Sequence, residues 1–424
     1  MRPHINLSFR WVSRDGKLII LSRGVSTFAR GSIAVLLALY LDKLGFSLVQ
    51  IGAFLSVGVA GSAFFAFVVS LIAEKVGRRR LLITFTLMSA AAGLALVFID
   101  DFLLLMLVAF LGSISGGGAV AGGGIQPLEQ ASLTDTAPSE KRTDLFAILG
   151  MVGAGSSALG ALAAGLPAIL QSAFALSEIY AYKVMFVGFA FFLLVGALLY
   201  CLVSSSVEVG SSEQHWVNPL RLPSRRVIFT LTGLFSIDHF AGSLVMQSLV
   251  AYWFYTRFGM ELESLAFVFF FSQLLAGISL WLAAKLANHI GLINTIVFTH
   301  IPASLFLIVV AFVPTAWIAV LFWQLRSFLG QMDVPTRQSY TMSVVQPNER
   351  VAMAGISSVG RSISGTAGPS VATALWSALS ASAPLIICGI LKITYDLSLY
   401  FMFRNVKPPQ EVQKGPDDIA EEAL

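Results

Sequence analysis

The stretch Ser70-Leu-Ile-Ala-Glu-Lys-Val-Gly-Arg-Arg-Arg80 decides how this chain folds, because it places five charged side chains between two long apolar segments. Leu71 and Ile72 are apolar and belong to the end of a spanning helix. The charged side chains must lie at the water interface, since a charge at the bilayer centre is costly. Gly77 suits a tight reversal between helices, because glycine reaches positive φ without strain. The stretch is therefore predicted to be a short loop between two transmembrane helices.

The whole chain has the composition of an integral membrane protein. Of its 424 residues, 56% are hydrophobic and only 12% are charged, whereas a soluble domain carries about 25% charged residues. Its mean hydropathy is +0.81. Apolar runs of about 20 residues recur, which is the length that a spanning helix needs. They predict twelve transmembrane helices, at 18–42, 47–73, 81–99, 101–126, 144–170, 182–204, 227–255, 263–284, 291–313, 315–336, 352–379 and 383–403. Their length and unbroken apolarity exclude the alternating strands of a membrane β-barrel.

Basic residues are concentrated in alternate loops. With the N-terminus inside, the cytoplasmic segments hold 19 Lys and Arg, and the opposite loops hold only Lys43, Lys183 and Arg257. The positive-inside rule then places both termini in the cytoplasm. We expect a multi-pass protein of an inner or plasma membrane. The net charge of +4 does not indicate nucleic-acid binding, because the basic residues are spread over short loops instead of one face.

The longest polar segment between helices, at 205–226, is predicted to be a linker between two bundles. The predicted organisation is a cytoplasmic segment at 1–17, a six-helix bundle at 18–204, the cytoplasmic linker, a second six-helix bundle at 227–403, and a cytoplasmic tail at 404–424. The bundles align as repeats. A shift of 214 residues pairs Gly77 with Gly291. An ungapped shift of 208 residues pairs Pro127 with Pro335, Gln130 with Gln338, and Gly160 with Gly368.

The loop at 70–80 resembles the loop between helices 2 and 3 of the major facilitator superfamily, the twelve-helix secondary transporters. The resemblance covers nearly the whole chain and is specific for the fold, not for the substrate. It implies an all-α membrane protein built from two six-helix bundles, which are parallel repeats about an axis along the membrane normal. It also implies that helices 1, 4, 7 and 10 line a central cavity.

The same resemblance implies a gating role for Glu74 and Arg78. Arg78 is expected to pair with an acid at the inner end of helix 4, either Glu129 or Asp135. Glu74 stands where the family more often has aspartate. The alternative interpretation is that the arginines only anchor the topology. The gating residues predicted in this way are Glu74, Gly77, Arg78, Glu129, Asp135 and Arg337.

Polar and charged residues inside the spans are candidates for a substrate or proton pathway, because they are costly there. The candidates are Arg30, Asp238, His239, Gln247, Arg326, Asp333 and Arg361. Most of them lie on helices 1, 7 and 10. Lys392 and Asp396 form a further i, i+4 pair in helix 12.

Several interpretations of these residues remain open. Arg30 and Asp238 are deep enough to form a pair that opens and closes with substrate or proton, or a static salt bridge between the halves. Arg23 is expected to snorkel to the inner interface. His239 is a candidate proton relay or a packed, hydrogen-bonded histidine. Arg326 is a candidate for substrate contact, or part of a structural network on helix 10.

The sequence predicts a secondary transporter and not an enzyme. It lacks a nucleotide-binding loop, a nucleophile with its base, and metal-ligand clusters, so no cofactor is expected. The predicted activity is alternating-access transport of a small organic molecule by a monomer, with protons as the coupling ion. The arginines favour an anionic substrate over a cationic one. Proton-coupled efflux of a drug-like compound or metabolite is the first interpretation. The alternatives are uptake or exchange of an organic anion, and a non-transporting receptor on a transporter fold.

Overall fold

The computed structural model describes residues 11–117, 125–134, 136, 138, 141–204, 222–346 and 349–406. These residues form sixteen α-helices and no strand. The first eight are α1 (Arg14–Lys43), α2 (Leu48–Val76), α3 (Arg78–Phe98), α4 (Phe102–Gly112), α5 (Gln126–Thr134), α6 (Arg142–Ala163), α7 (Leu166–Phe174) and α8 (Glu178–Cys201). The others are α9 (Arg225–Leu244), α10 (Gln247–Phe258), α11 (Leu262–Ile290), α12 (Leu292–Phe312), α13 (Ala316–Leu329), α14 (Asp333–Ser343), α15 (Arg350–Ala378) and α16 (Ala383–Phe403).

Nine helical segments of the described chain are long and apolar enough to cross a membrane. The other three predicted spans correspond to α4 with α5, α13 with α14, and α15. The protein therefore has the predicted all-α, polytopic membrane fold. Four predicted spans are not single helices, however. Breaks follow α4, α6, α9 and α13, where Ser113 adopts a left-handed φ of 53° and Val245 leaves helical geometry.

Polar residues fix where several helices begin. Ser13 accepts a hydrogen bond from the Gly16 amide at 3.1 Å, and Asp101 does the same for Leu104 at 3.0 Å. Ser47 forms a capping box at the start of α2. These oxygens satisfy amides that have no partner within the helix.

The described chain forms two compact units. The first comprises Met1–Gln214 with Met246–Gln273, and the second comprises His215–Val245 with Leu274–Leu424. In the first unit, α1 is buried along most of its length and packs against α6 and α8. In the second, α9 packs against α15 and α16. The units differ from the predicted bundles in one segment, since 246–273 belongs to the first unit.

The repeat predicted from the sequence has a counterpart in packing within each unit. A Cβ on Gly160 would lie 2.1 Å from the carbonyl oxygen of Phe28, and a Cβ on Gly368 would lie 1.7 Å from Ser243 Oγ. Both glycines thus let a later helix approach the first helix of its own half closely. The reversals between helices repeat too, because Gly77 and Gly291 have φ values of +97° and +86°, where only glycine is free of strain.

Candidate functional site

The first unit contains a buried ion pair between α1 and α5. Arg23 Nη1 donates to Glu129 Oε2 at 2.9 Å, and the hydroxyl of Tyr200, on α8, donates to Glu129 Oε1 at 2.5 Å. These side chains belong to residues that are 8%, 1% and 0% exposed, respectively. Each carboxylate oxygen has a donor, as a charge removed from water requires. The prediction that Arg23 snorkels to the interface is wrong, because its guanidinium is buried and paired.

The pairing of Glu129 narrows the gating prediction. Arg78 Nη1 donates to a backbone carbonyl of α5 at 3.4 Å. Since Arg23 binds Glu129, Asp135 is the remaining acid predicted to pair with Arg78. Asp135 lies outside the described residues, and so does the side chain of Glu74. The gating pair stays a prediction.

Arg30 follows Arg23 by two turns of α1 and is half-buried. It lines a cavity of about 20 Å³ with Ser113, Ser115 and Gly116, in the irregular segment after α4. That volume holds about one water molecule. Among the described residues, no carboxylate lies within ion-pair distance of Arg30.

The second unit contains a larger buried cluster, centred on Asp238 of α9. Asp238 Oδ2 accepts from Arg337 Nη1 of α14 at 2.7 Å, and Asp238 Oδ1 accepts from Lys392 Nζ of α16 at 2.6 Å. Asp238 is 6% exposed. The guanidinium of Arg337 also lies 5.4 Å from the centre of the Phe235 ring. Asp238 is therefore satisfied within its own unit, and its pairing with Arg30 stays a prediction.

This cluster extends at both ends. Arg337 Nη1 lies 3.3 Å from Asp333 Oδ2 on the same helix. At the other end, Lys392 Nζ lies 3.2 Å from His300 Nε2, and His300 Nδ1 lies 3.0 Å from Asp396 Oδ1. The sequence prediction missed His300, although it is the one titratable residue in the predicted span 291–313. Lys392 and Asp396, predicted as a pair, contact residues of other helices. Lys392 contacts Asp238 and His300, and Asp396 contacts His300.

His239 and Gln247 lie apart from this cluster. His239 is exposed, and its ring faces α15 so closely that a Cβ on Gly365 would lie 2.7 Å from it. Gln247 Oε1 accepts from Gln273 Nε2 at 2.9 Å in the first unit. His239 is thus next to the charged cluster in sequence but outside its hydrogen bonds.

Arg326 and Arg361 also have no carboxylate partner in the described chain. The guanidinium of Arg326 lies 4.5 Å from the centre of the Trp323 ring. Arg361 Nε donates to the carbonyl of Ser357 at 3.3 Å, within its own helix. Of the three residues in the alternative structural network on helix 10, two interact. These are Asp333 and Arg337, but not Arg326.

The sequence model of the Major Facilitator Superfamily matches residues 19–369. The chain belongs to the Major Facilitator Superfamily. Its fold is accordingly that of a membrane transporter, and the superfamily predicted from the loop at 70–80 is confirmed.

Other proteins resemble this chain along nearly its full length. An uncharacterised membrane protein of Saccharomyces cerevisiae is 26% identical, covering 96% of this chain and 98% of that protein. A bacterial homologue of the human lysosomal transporter Spinster, inward-facing and unoccupied, has a TM-score of 0.73 at 14% identity, covering 95% of this chain and 98% of the other. The nucleoside transporter NupG has a TM-score of 0.69 at 14% identity, with 92% and 98% covered. At such identities, the likeness to the solved structures shows the fold alone.

Proposed function

We propose that this protein is a proton-coupled transporter that exports a small organic anion by alternating access. It would act as a monomer in an inner or plasma membrane, with both termini in the cytoplasm. The superfamily supports transport of a small molecule. The asymmetry of basic residues supports the orientation.

The proposal of an anionic substrate rests on three arginines inside predicted spans: Arg30, Arg326 and Arg361. In the described chain none of them has a carboxylate within 4.0 Å, whereas the buried cations Arg23, Arg337 and Lys392 all do.

An arginine at the centre of a span costs at least about 3 kcal/mol on insertion scales. A substrate carboxylate, phosphate or sulfate would supply the missing counter-charge, and a guanidinium binds such groups through two parallel hydrogen bonds. Organic cations fit this set of side chains poorly, because they would add positive charge beside unpaired arginines.

The same arginines suit uptake or exchange of an organic anion equally well. That second candidate differs from efflux only in direction. Flux into and out of vesicles of known orientation therefore decides between them.

The test is thermal unfolding of the purified protein at pH 5.5 and 7.5 with a panel of mono- and dicarboxylates, phosphate esters, sulfate esters, and neutral and cationic amphiphiles. A ligand at a hundred times its Kd stabilises the native state by about 2.7 kcal/mol. We expect a subset of anions to raise the Tm, and Arg30→Ala or Arg326→Ala to abolish the rise. Arg257→Ala is the matched control, because Arg257 is exposed at the end of α10. Stabilisation by neutral or cationic amphiphiles alone would refute the anionic substrate.

Direction and coupling are tested with the hits of that panel. The protein is reconstituted in vesicles with a pH-sensitive dye inside. We expect export of the anion to be accompanied by proton movement in the opposite direction, and the flux to collapse when the pH gradient is removed. Flux that is unaffected by the gradient would contradict proton coupling.

A further inference from the structure

We infer that His300 and Asp396 form a proton-binding site inside the second unit, and that Lys392 couples this site to Asp238. The use of the bound proton for transport rests on the proposed function. The site itself does not, and it can be tested without a substrate.

The site lies at the most buried end of the charged cluster. The side chains of His300 and Asp396 are 4% and 0% exposed, whereas those of Arg337 and Lys392 are each 12% exposed. A proton bound there would be well shielded from water.

The hydrogen bonds define the protonation state of His300. A lysine ammonium has donors and no acceptor, so Nε2, at 3.2 Å from Lys392 Nζ, must offer its lone pair. The hydrogen then sits on Nδ1 and is donated to Asp396 Oδ1 at 3.0 Å. With Lys392 as an ammonium, these distances fit the neutral Nδ1–H tautomer, whose Nε2 lone pair can take up a proton.

The charge of the surroundings favours filling that position. From α16, Lys392, Tyr395 and Asp396 face His300; Asp238 faces it from α9, and Asp333 and Arg337 belong to the same cluster on α14. The neighbouring α13 carries Arg326, whose guanidinium lies over Trp323. With His300 neutral, three carboxylates face the two cations Arg337 and Lys392, and the cluster has a net charge of −1. One added proton makes it neutral, which a buried site favours.

A second observation supports the same conclusion. Asp396 Oδ2 is buried, and no described group donates a hydrogen bond to it. Among the described residues, the Asp396 carboxylate is thus hydrogen-bonded through one oxygen only, to His300. An imidazolium at His300 would stabilise it better than a neutral ring does, because the hydrogen bond becomes charge-assisted.

Protonation shifts the balance between two contacts that both join α12 to α16. A hydronium ion gives its proton to Nε2 and is left as water, and His300 becomes an imidazolium. Two donors of like charge then lie 3.2 Å apart, so the contact of His300 with Lys392 weakens while Lys392 keeps its bond to Asp238. Loading the site therefore weakens the α12–α16 contact at Lys392 and strengthens the one at Asp396.

The test is nitrogen NMR of the full-length protein in lipid bilayers, labelled with ¹⁵N-histidine and ¹³C-aspartate, between pH 4 and 9. The chain has only 5 histidines. His300 is assigned in the wild type by its dipolar coupling to an aspartate carboxyl carbon, and its signal is absent in His300→Gln. We expect the Nδ1–H tautomer at high pH and an imidazolium at low pH.

Two variants should move the midpoint in opposite directions. Asp396→Asn removes the anion and shifts the midpoint to lower pH by about one unit or more, and Lys392→Gln removes the cation and shifts it to higher pH. His289→Gln, at the exposed end of α11, is the control and should change nothing. A His300 that stays neutral throughout, or that carries its hydrogen on Nε2, would overturn the site.

Coupling is tested separately with the anion flux assay. Asp396→Asn should reduce proton movement relative to anion flux at least tenfold. If this variant keeps the wild-type ratio, the coupling role is refuted while the proposed transport stands. If the wild type transports no anion but His300 titrates as expected, the proposed function fails and the proton site stands.

Discussion

The buried ion pairs of the two units occupy equivalent positions in the repeat and have opposite polarity. In the first unit, the cation Arg23 is on α1 and the acid Glu129 is on α5. In the second unit, Asp238 lies 215 residues after Arg23, and Arg337 lies 208 residues after Glu129, so the acid and the cation have exchanged places. Both halves of the repeat thus have a buried ion pair at this position, but the acid and the cation are on opposite helices. A buried pair needs one charge of each sign, and it tolerates either order better than the loss of one partner.

The two pairs also differ in what surrounds them. The first is closed by the hydroxyl of Tyr200 and is neutral as it stands. The second is extended by Lys392, His300, Asp396 and Asp333, and it becomes neutral only with an added proton. We propose a structural role for the first pair and a titratable role for the second.

Charge reversal in the first unit should give the largest loss of stability. Arg23→Glu or Glu129→Arg alone leaves two like charges buried together, so we expect a loss beyond the about 3–5 kcal/mol of a broken buried pair, and little folded protein. The double variant reproduces the polarity of the second unit and should recover most of the Tm. The Tm of thermal unfolding, compared between the single and double variants, measures this. A double variant no better than the singles would show that the order of charges matters.

Removal of the central acid of the second unit, Asp238, should give the next largest loss of stability. Asp238→Asn leaves Arg337 and Lys392 facing each other without their shared anion, and we expect a loss of about 3–5 kcal/mol. The control is Asp100→Asn, because the pair of Asp100 with Lys183 is 3.6 Å long and its carboxylate side chain is 62% exposed. Such an exposed pair contributes about 0–1 kcal/mol. Equal losses for the two variants would argue that the cluster around Asp238 is solvated.

The spans and the repeat could be predicted from the sequence, but the breaks in the spans could not. Hydropathy is an average over a window of residues, so it does not locate the breaks at Ser113 and Val245 inside their spans. In the same way, Asp333 and Arg337 could be paired from their i, i+4 spacing. Lys392 and His300 could not be assigned partners on other helices, because an apolar run does not tell which side of a helix faces its neighbours.

The tyrosines of the two clusters provide a smaller contrast. Tyr200→Phe removes a hydrogen bond to a charged carboxylate and should cost about 1.5–3 kcal/mol. Tyr395→Phe should cost almost nothing or even stabilise, because the Tyr395 hydroxyl is buried without a hydrogen-bond partner in the described chain. Both substitutions keep the ring, so the difference in Tm between them isolates the hydroxyl. A loss in Tyr395→Phe as large as in Tyr200→Phe would mean that the second cluster also depends on its tyrosine.

The smallest change in Tm is expected at the N-termini of α6 and α15, where a cation in the first unit again corresponds to an acid in the second. Lys141 precedes α6, and Glu349, 208 residues later, precedes α15. The first turn of a helix favours an acid by about 0.3–1 kcal/mol, so Lys141→Glu should raise the Tm slightly.

Glu349 already makes use of that preference. Burial raises the pKa of Glu349, but hydrogen bonds from Ser224 and Gln346 outweigh it and hold the pKa below its ordinary value of 4.5. A lowered pKa in the folded state means that Glu349 stabilises the protein above about pH 4.5 and that this contribution is lost as the pH falls below it. Glu349→Gln should therefore lower the Tm at pH 7 and make little difference at pH 3.5. An equal loss at both pH values would assign the effect of Glu349 to its hydrogen bonds and not to its charge, and the charge inversion at the helix starts would then have no energetic meaning.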